Sequence, residues 1–236
     1  MVRITKRGAG LAAALLAPLV LNACMHNDDD ATVQKMSYRV SVTNLSNNQP
    51  LSPLAVVLHT AGYRAWTAGM SADSGLEQLA EGGDTSGLIS EAMADSHVLK
   101  TATGSGLILP GASDSVDVTT SDSGDLQLSL AAMLVNTNDG FTGVSGADLA
   151  ELQAGDSLRL YGMAWDAGTE ANSETAATIP GPAGGGEGYN MTRDDVDFVS
   201  VHAGVVTMDD GLASSVLDES HRFIGPVSMI SITRTK

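Results

Sequence analysis

Two carboxylates four residues apart, Asp166 and Glu170, stand in the run Trp165-Asp-Ala-Gly-Thr-Glu170, directly behind an apolar stretch that begins at Leu158. Leu158, Leu160, Tyr161, Met163 and Trp165 predict a mostly buried strand, and Asp166, Gly168 and Thr169 end it with residues that favour a turn. Oxygens converging on a rigid strand end suit a hard cation such as Ca²⁺, which is held by several oxygens at short range. The same acids permit proton transfer, so a carboxylate-dependent hydrolase of an envelope or extracellular polymer is the rival chemistry, with Asp139 or Asp166 working with Glu170. A solvated acidic turn is the plainest alternative. Other catalytic patterns are incomplete. Gly143-Val-Ser145-Gly-Ala147 lacks the final glycine of a nucleophile elbow. His26, His59, His97, His202 and His221 show no zinc-binding spacing. The glycine-rich run from Gly181 to Gly188 is no dinucleotide fingerprint, because no strand precedes it and no helix follows.

A second acidic turn lies upstream. Leu126, Leu128 and Leu130 alternate with polar residues, then merge into an apolar run that stops at Asn136-Thr-Asn-Asp139-Gly140. If the two strands are neighbours in one sheet and run the same way, Asp139 comes close to Asp166 and Glu170, and three carboxylates share one cation.

The elements that must position these loops follow from composition. The 236-residue chain suits one large all-β domain or two small ones, and 43% hydrophobic content is enough for a core. Only 4% is aromatic while 26 residues are glycine, so small and β-branched side chains carry the packing between many turns. A net charge of −16 excludes nucleic acid and anionic membrane surfaces as partners and favours cations or basic surfaces. Arg3, Lys6 and Arg7 precede an apolar stretch, Gly8 to Leu21, that is short for a membrane span, and together they predict an export signal over residues 1–23. Losing Arg3, Lys6 and Arg7 and no acid leaves the remainder at −19. Leu21-Asn-Ala-Cys24 resembles a bacterial lipobox, with Asn22 where a smaller or aliphatic residue is usual, so the sole cysteine, Cys24, is the expected lipidation site; the alternative is an ordinary cleaved signal. The mature protein is then exported and lipid-anchored to the cell envelope, at the outer membrane. Residues 24–36, with Asp28, Asp29 and Asp30, predict an acidic tether, and 37–236 the folded domain.

Within that domain, Ser37 to Leu45 alternates as a half-buried strand, and Leu54 to Leu58 is apolar throughout, with His59 packed at its end. Leu76, Leu79 and Ala80 recur at helical spacing until Gly82-Gly83. Leu88, Ile89, Ala92 and Met93 predict a second short helix capped by Asp84 or a neighbour. Strands follow over Thr101–Leu109, Ser115–Thr120 and Asp125–Val135. Ala171 to Gly188 reads as a flexible loop, Asp194, Asp195 and Asp197 as a solvated rim, and Val227–Thr233 as a last strand.

Leu51-Ser-Pro followed by a histidine, Gly69-Met-Ser-Ala-Asp-Ser-Gly-Leu76 with Leu79-Ala-Glu-Gly82, Leu128-Ser-Leu-Ala-Ala-Met-Leu134 leading to Asp139-Gly-Phe-Thr-Gly-Val144, and Trp165-Asp-Ala-Gly-Thr-Glu170 occur in the order found in spondin domains. The chain resembles that family from about Tyr38 to Arg234. The resemblance implies an all-β fold, a C2-like antiparallel β-sandwich with one or two short helices in its connections. It also implies a calcium ion held at one end by Asp139, Asp166 and Glu170. Glu170 stands where the family usually has Asp, Gly140 where animal members carry Trp, and the disulfides of animal members are absent. The expected function is that of a non-catalytic module, binding Ca²⁺ with a dissociation constant of roughly 10⁻⁴ to 10⁻³ M and contacting a protein or glycan through its metal-end loops. A purely structural envelope lipoprotein is the third alternative.

Overall fold

The computed structural model describes residues 34–236; the expected signal segment, Cys24 and nearly all of the tether lie outside the described residues. Nine strands form a mostly antiparallel array: β1 (Met36–Asn44), β2 (Ala55–Thr60), β3 (Val98–Thr103), β4 (Ser113–Thr120), β5 (Leu126–Met133), β6 (Gly140–Asp148), β7 (Ser157–Asp166), β8 (Ser200–Val201) and β9 (Pro226–Arg234). Two short helices, α1 (Ser74–Gly82) and α2 (Ser86–Ala94), interrupt the run between β2 and β3. The strand order is β3-β2-β5-β6-β7-β9-β1-β4, with β8 added to β7. The all-β sandwich-like fold is therefore present, and its helices sit in one connection.

β7 joins the two halves. Its first part, Ser157 to Met163, pairs with β9, whereas Ala164 to Asp166 pair with Thr142 to Gly140 of β6. β5 and β7 flank β6 and are each antiparallel to it, so they run the same way and finish at the same end. They are not neighbours as expected, since β6 lies between them, and the acidic turns meet by another route: Asp139 immediately precedes β6, and Gly140 is paired with Asp166.

Two apolar layers explain which runs of sequence are continuously hydrophobic. Val56 and Leu58 of β2 and Leu128, Leu130 and Ala132 of β5 face the sandwich interior with Tyr38, Val40, Ile230 and Ile232. Ala55 and Val57, on the opposite face of β2, pack with Ala131 and Phe141 under Leu76, Leu79 and Ala80 of α1 and Leu88 and Ala92 of α2. A strand covered on both faces has no polar phase, which is why β2 shows no alternation. α1 ends at Gly83, whose left-handed backbone returns its N–H to the Leu79 carbonyl. α2 has its first turn tied by Asp84, which accepts the Ser86 N–H at 2.8 Å.

β7 departs from expectation. Tyr161 and Met163 are exposed, Leu158 and Leu160 are only partly covered, and the buried members are Gly162, Ala164 and Asp166. Period-two alternation puts Asp166 on the inward face with Leu160 and Ala164, so the strand delivers a carboxylate into the fold rather than onto its rim. The segment from Ala171 to Gly188 is pinned, not free. Ile179 is fully buried, Gly186 and Glu187 donate to the Ile179 and Ala177 carbonyls, and Ala183 N–H donates to Asn136 Oδ1 at 3.0 Å.

Both tryptophans and one of three phenylalanines collect under the acidic end. Trp66 meets Phe141 edge-on with centroids 5.0 Å apart, and lies 6.3 Å from Trp165, which is paired across the sheet with Phe141. Phe141→Ala should cost about 3–5 kcal/mol in a urea titration, because the fully buried ring fills the junction of sheet, helices and acidic turn. A cost below about 1 kcal/mol would show that this junction is not packed as described.

Candidate metal centre

The turn Asn136–Asp139 is built by its own side chains. Thr137 Oγ1 donates to the Leu134 carbonyl at 2.6 Å and accepts the Gly140 N–H at 2.9 Å. A Cβ at Gly140 would lie 2.5 Å from that hydroxyl, so this turn leaves no room for a larger side chain at position 140 without rearrangement. Across from it, Asp166 Oδ1 accepts the Gly168 N–H at 2.8 Å, closing a side-chain turn. Gly168 has φ +71 and a Cβ there would come within 2.4 Å of the Phe198 carbonyl, so glycine is required twice over.

The two turns are fastened by one carboxylate. Asp139 Oδ2 accepts the N–H groups of Thr169 at 2.8 Å and Glu170 at 3.1 Å, and the Asp139 carbonyl accepts the Ala167 N–H at 3.2 Å. All three expected acids are buried: Asp139 is 0%, Asp166 6% and Glu170 8% exposed. Asp166 Oδ2 is held by the Asn172 amide at 2.7 Å. The structure thus brings Asp139, Asp166 and Glu170 into one electrostatic neighbourhood. Among the described residues, however, no three Asp, Glu, His or Cys side chains already converge on a single point. Asp139 spends one oxygen on backbone N–H groups and Asp166 has a donor on each oxygen, which holds them in turn-stabilising orientations.

Further groups join this end from places that sequence spacing does not connect. Glu174 and His202 both feel the charge of Asp166, and Glu170 feels that of Glu81 on α1. Asp139 Oδ1, Glu170 Oε2, Glu174 Oε2, Glu81 Oε1 and His202 Nε2 are buried with no hydrogen-bond partner. Among the described residues none of these acids forms an ion pair; Arg193 is engaged with Glu77 at 2.8 Å and with Asp197. His202 Nδ1 accepts the Gly204 N–H at 3.0 Å, which puts the proton of the neutral ring on Nε2. It presents an N–H rather than a lone pair and is no metal ligand in this arrangement. The one sequence signal that could have flagged Glu174 is its position four residues after Glu170, as the sole charged residue between Ala171 and Gly186.

Burial is the main reason that these acids hold their protons tightly. Asp139 is pushed up to about 7, with Asp166 adding repulsion and the Thr169 and Glu170 N–H groups opposing. Glu170 is pushed to about 7 by burial, opposed by the Asn138 amide and reinforced by Glu81, Asp139 and Glu187. Glu174 also rises to about 7 through burial, with the Val206 N–H opposing and Asp166 contributing. Burial drives His202 the other way, keeping it neutral against the pull of Asp166.

These shifts set a pH dependence. A carboxyl whose folded pKa exceeds its unfolded value retains a proton that the unfolded chain releases, so folding is favoured below the ordinary carboxylate range. That stability is lost as pH climbs from about 4 to about 7 for Asp139, Glu170 and Glu174. In EDTA, the melting temperature should therefore fall between pH 5 and pH 8, and Asp139→Asn should flatten the fall while keeping an oxygen for the Thr169 and Glu170 N–H groups. A melting temperature that is constant or rises over this range would contradict the assignment.

The Spondin_N family model matches residues 43–180, more than half of the chain. No curated protein matches it. The matched span is narrower than the Tyr38–Arg234 range suggested by the sequence motifs, but it contains Asp139, Asp166, Glu170 and Glu174 together with both short helices. Among the described residues no helix is long and apolar enough to cross a membrane. The matched domain, the sandwich-like sheet and the paired acidic turns agree, and membership points to a non-enzymatic, extracellular type of module: the chain belongs to the spondin N-terminal domain family.

Proposed function

We propose that this chain is a non-catalytic, calcium-binding module of the bacterial envelope that holds a protein or glycan partner through the loops at its acidic end. The observation that carries the reading is the pair of buried, unpartnered oxygens, Asp139 Oδ1 and Glu170 Oε2, beside the inward-facing Asp166. The donor set is oxygen, which suits a hard cation over a soft one. Asp139, Asp166 and Glu170 would hold the ion, which would supply positive charge to acids that, among the described residues, form no ion pair. Glu170 reaches further than the aspartate usual at its place, so it can turn its free oxygen without moving the backbone that binds Asp139.

The partner surface would extend from that end along the sheet. A cleft of about 420 Å³ runs along β6 and β7 from Trp165 to Ala147, with Trp66 buried in its wall and Tyr161 and Met163 exposed beside it. Exposed Tyr161 and Met163 next to the half-buried Trp165 fit adhesion to a protein or a sugar face. Export and lipid attachment at Cys24 would place the module at the cell envelope, on the outer membrane, with the acidic end directed to its partner.

Calcium should raise the melting temperature of the full chain in detergent, with a stabilisation of about 1.4–2.7 kcal/mol at 10–100 times the dissociation constant. Asp166→Ala should abolish the increment. The reading fails if CaCl₂ and EDTA give the same melting curve for the wild type. Polysaccharide turnover that disappears in Glu170→Gln while calcium binding persists would instead establish the hydrolase.

A further inference from the structure

The hand-over along β7 leaves a stretch of sheet without a neighbour. Pairing of β6 with β7 stops at Thr142 and Ala164, while β6 stays on β5 as far as Asp148 and β7 stays on β9 from Ser157 to Met163. A shift of register between Gly162 and Met163 marks where β7 turns from one partner to the other. Val144 to Asp148 of β6 and Ser157 to Tyr161 of β7 therefore have a strand on one side only. The Asp156 carbonyl accepts the Arg234 N–H at 3.0 Å, so alternation turns the main-chain groups of Leu158 and Leu160 to β9 and those of Arg159 and Tyr161 into the gap.

The cleft of about 420 Å³ is this gap, walled by Val144 to Ala147 on one side and by Leu160, Tyr161 and Met163 on the other. Toward the interior, Val144, Ala147, Leu158 and Leu160 lie half-buried against the core; toward solvent, Tyr161 is 57% and Met163 37% exposed. Free strand edges are commonly blunted by lysine or proline, and β7 has neither. The donors and acceptors of such an edge repeat every second residue, about 7 Å apart, a spacing that another extended main chain matches and a sugar ring does not. Charge narrows the choice further. Asp148, Glu151 and Asp156 stand exposed where the two strands part, against Arg159, and the whole chain carries −16.

Resting on the reading of this cleft as the partner surface, and on no part of the cation reading, we propose that its occupant is an extended basic peptide that adds as a strand along the free edge of β7. Its main chain pairs with Arg159 and Tyr161. One row of its side chains is apolar and covers Val144, Leu158 and Leu160, and its lysines or arginines lie toward Asp148, Glu151 and Asp156. Ser145, Gly146 and Ala147 on the opposite wall are small enough to admit a backbone. In such strand addition the main-chain hydrogen bonds supply affinity, and the sites for alternate side chains supply specificity.

Amide chemical-shift titration of the full chain in detergent and EDTA tests this with four probes: a short peptide alternating valine with lysine, the same peptide with glutamate for lysine, the lysine peptide N-methylated at every second residue in either phase, and an N-acetylglucosamine tetramer. The lysine peptide should shift the amides of Ser145, Arg159 and Tyr161, and the glutamate peptide and at least one N-methylated phase should bind at least tenfold more weakly. Tyr161→Pro removes a gap-facing N–H and no hydrogen bond to β9, so it should weaken the lysine peptide at least tenfold and by more than Tyr161→Ala does. Where Tyr161→Pro does not melt cooperatively, the N-methylated peptides decide. Glutamate or both N-methylated peptides that bind as tightly as the parent overturn the proposal, as do shifts confined to residues outside the cleft. A sugar tetramer that moves the cleft amides while the lysine peptide moves none also overturns it and leaves the adhesion reading standing. Cleft amides that respond to neither probe defeat both.

Discussion

Carboxylate repulsion under burial is the constraint to which this end of the domain is fitted. Asp139, Asp166, Glu170, Glu174 and Glu81 are all withdrawn from water in one region, without a cationic side chain in ion-pair contact among the described residues. Burial alone favours the neutral acids, and each further acid makes its neighbours harder to ionise. The fold meets this with backbone dipoles. Thr169 and Glu170 offer N–H groups to Asp139, Gly168 to Asp166, and Val206 to Glu174. For Asp139 and Glu174 these donors support the negative form, as the Asn138 amide does for Glu170, yet burial and neighbouring acids outweigh that support and push all three up to about 7.

The sheet makes the crowding rigid. Pairing of Gly140 with Asp166 fixes the two acidic turns at neighbouring strand ends, and the edge-on contact of Trp66 with Phe141 packs the layer below them. Because β7 pairs with β9 through Met163 and with β6 from Ala164, Asp166 lies just past the point where one half of the sheet hands over to the other. A change in the charge of the site would therefore bear on the joint between both halves, not on a detachable loop.

Much of this was legible in the chain because it depends on period and turn chemistry. The apolar run at Leu54–Leu58, the helical spacing of Leu76 and Leu79, and the Asn-Asp-Gly and Asp-Ala-Gly turns each carry a local signal with one physical meaning. β7 misled because Tyr161 and Met163 are hydrophobic yet exposed; residue type indicated burial, while alternation alone placed Asp166 inside. The glycine-rich stretch looked free because composition records backbone freedom and not the partners that remove it, such as Asn136 for Ala183. Glu174, Glu81 and His202 could not be found from spacing, since they reach the acidic end from a turn, a helix and the segment after β8, separated by up to 121 positions.

The manner in which Asp139 is used bears on what a cation could do here. One of its oxygens already closes the turn that contains Thr169 and Glu170, so the two loops are joined before any ion arrives. A metal that had to build these loops would find unpaired N–H groups and open turns; here Asp166 and Asp139 both have backbone donors in place. What is left unresolved electrostatically is charge, carried by oxygens such as Asp139 Oδ1 and Glu170 Oε2 that face no donor. Near pH 7 protons and a divalent cation would compete for those same oxygens, so the proposed uptake of a cation would release protons and would weaken as the medium becomes acidic. Were calcium bound as proposed, it would adjust the charge and stiffness of loops that are already joined rather than assemble them, and protons and the ion would act through the same few atoms.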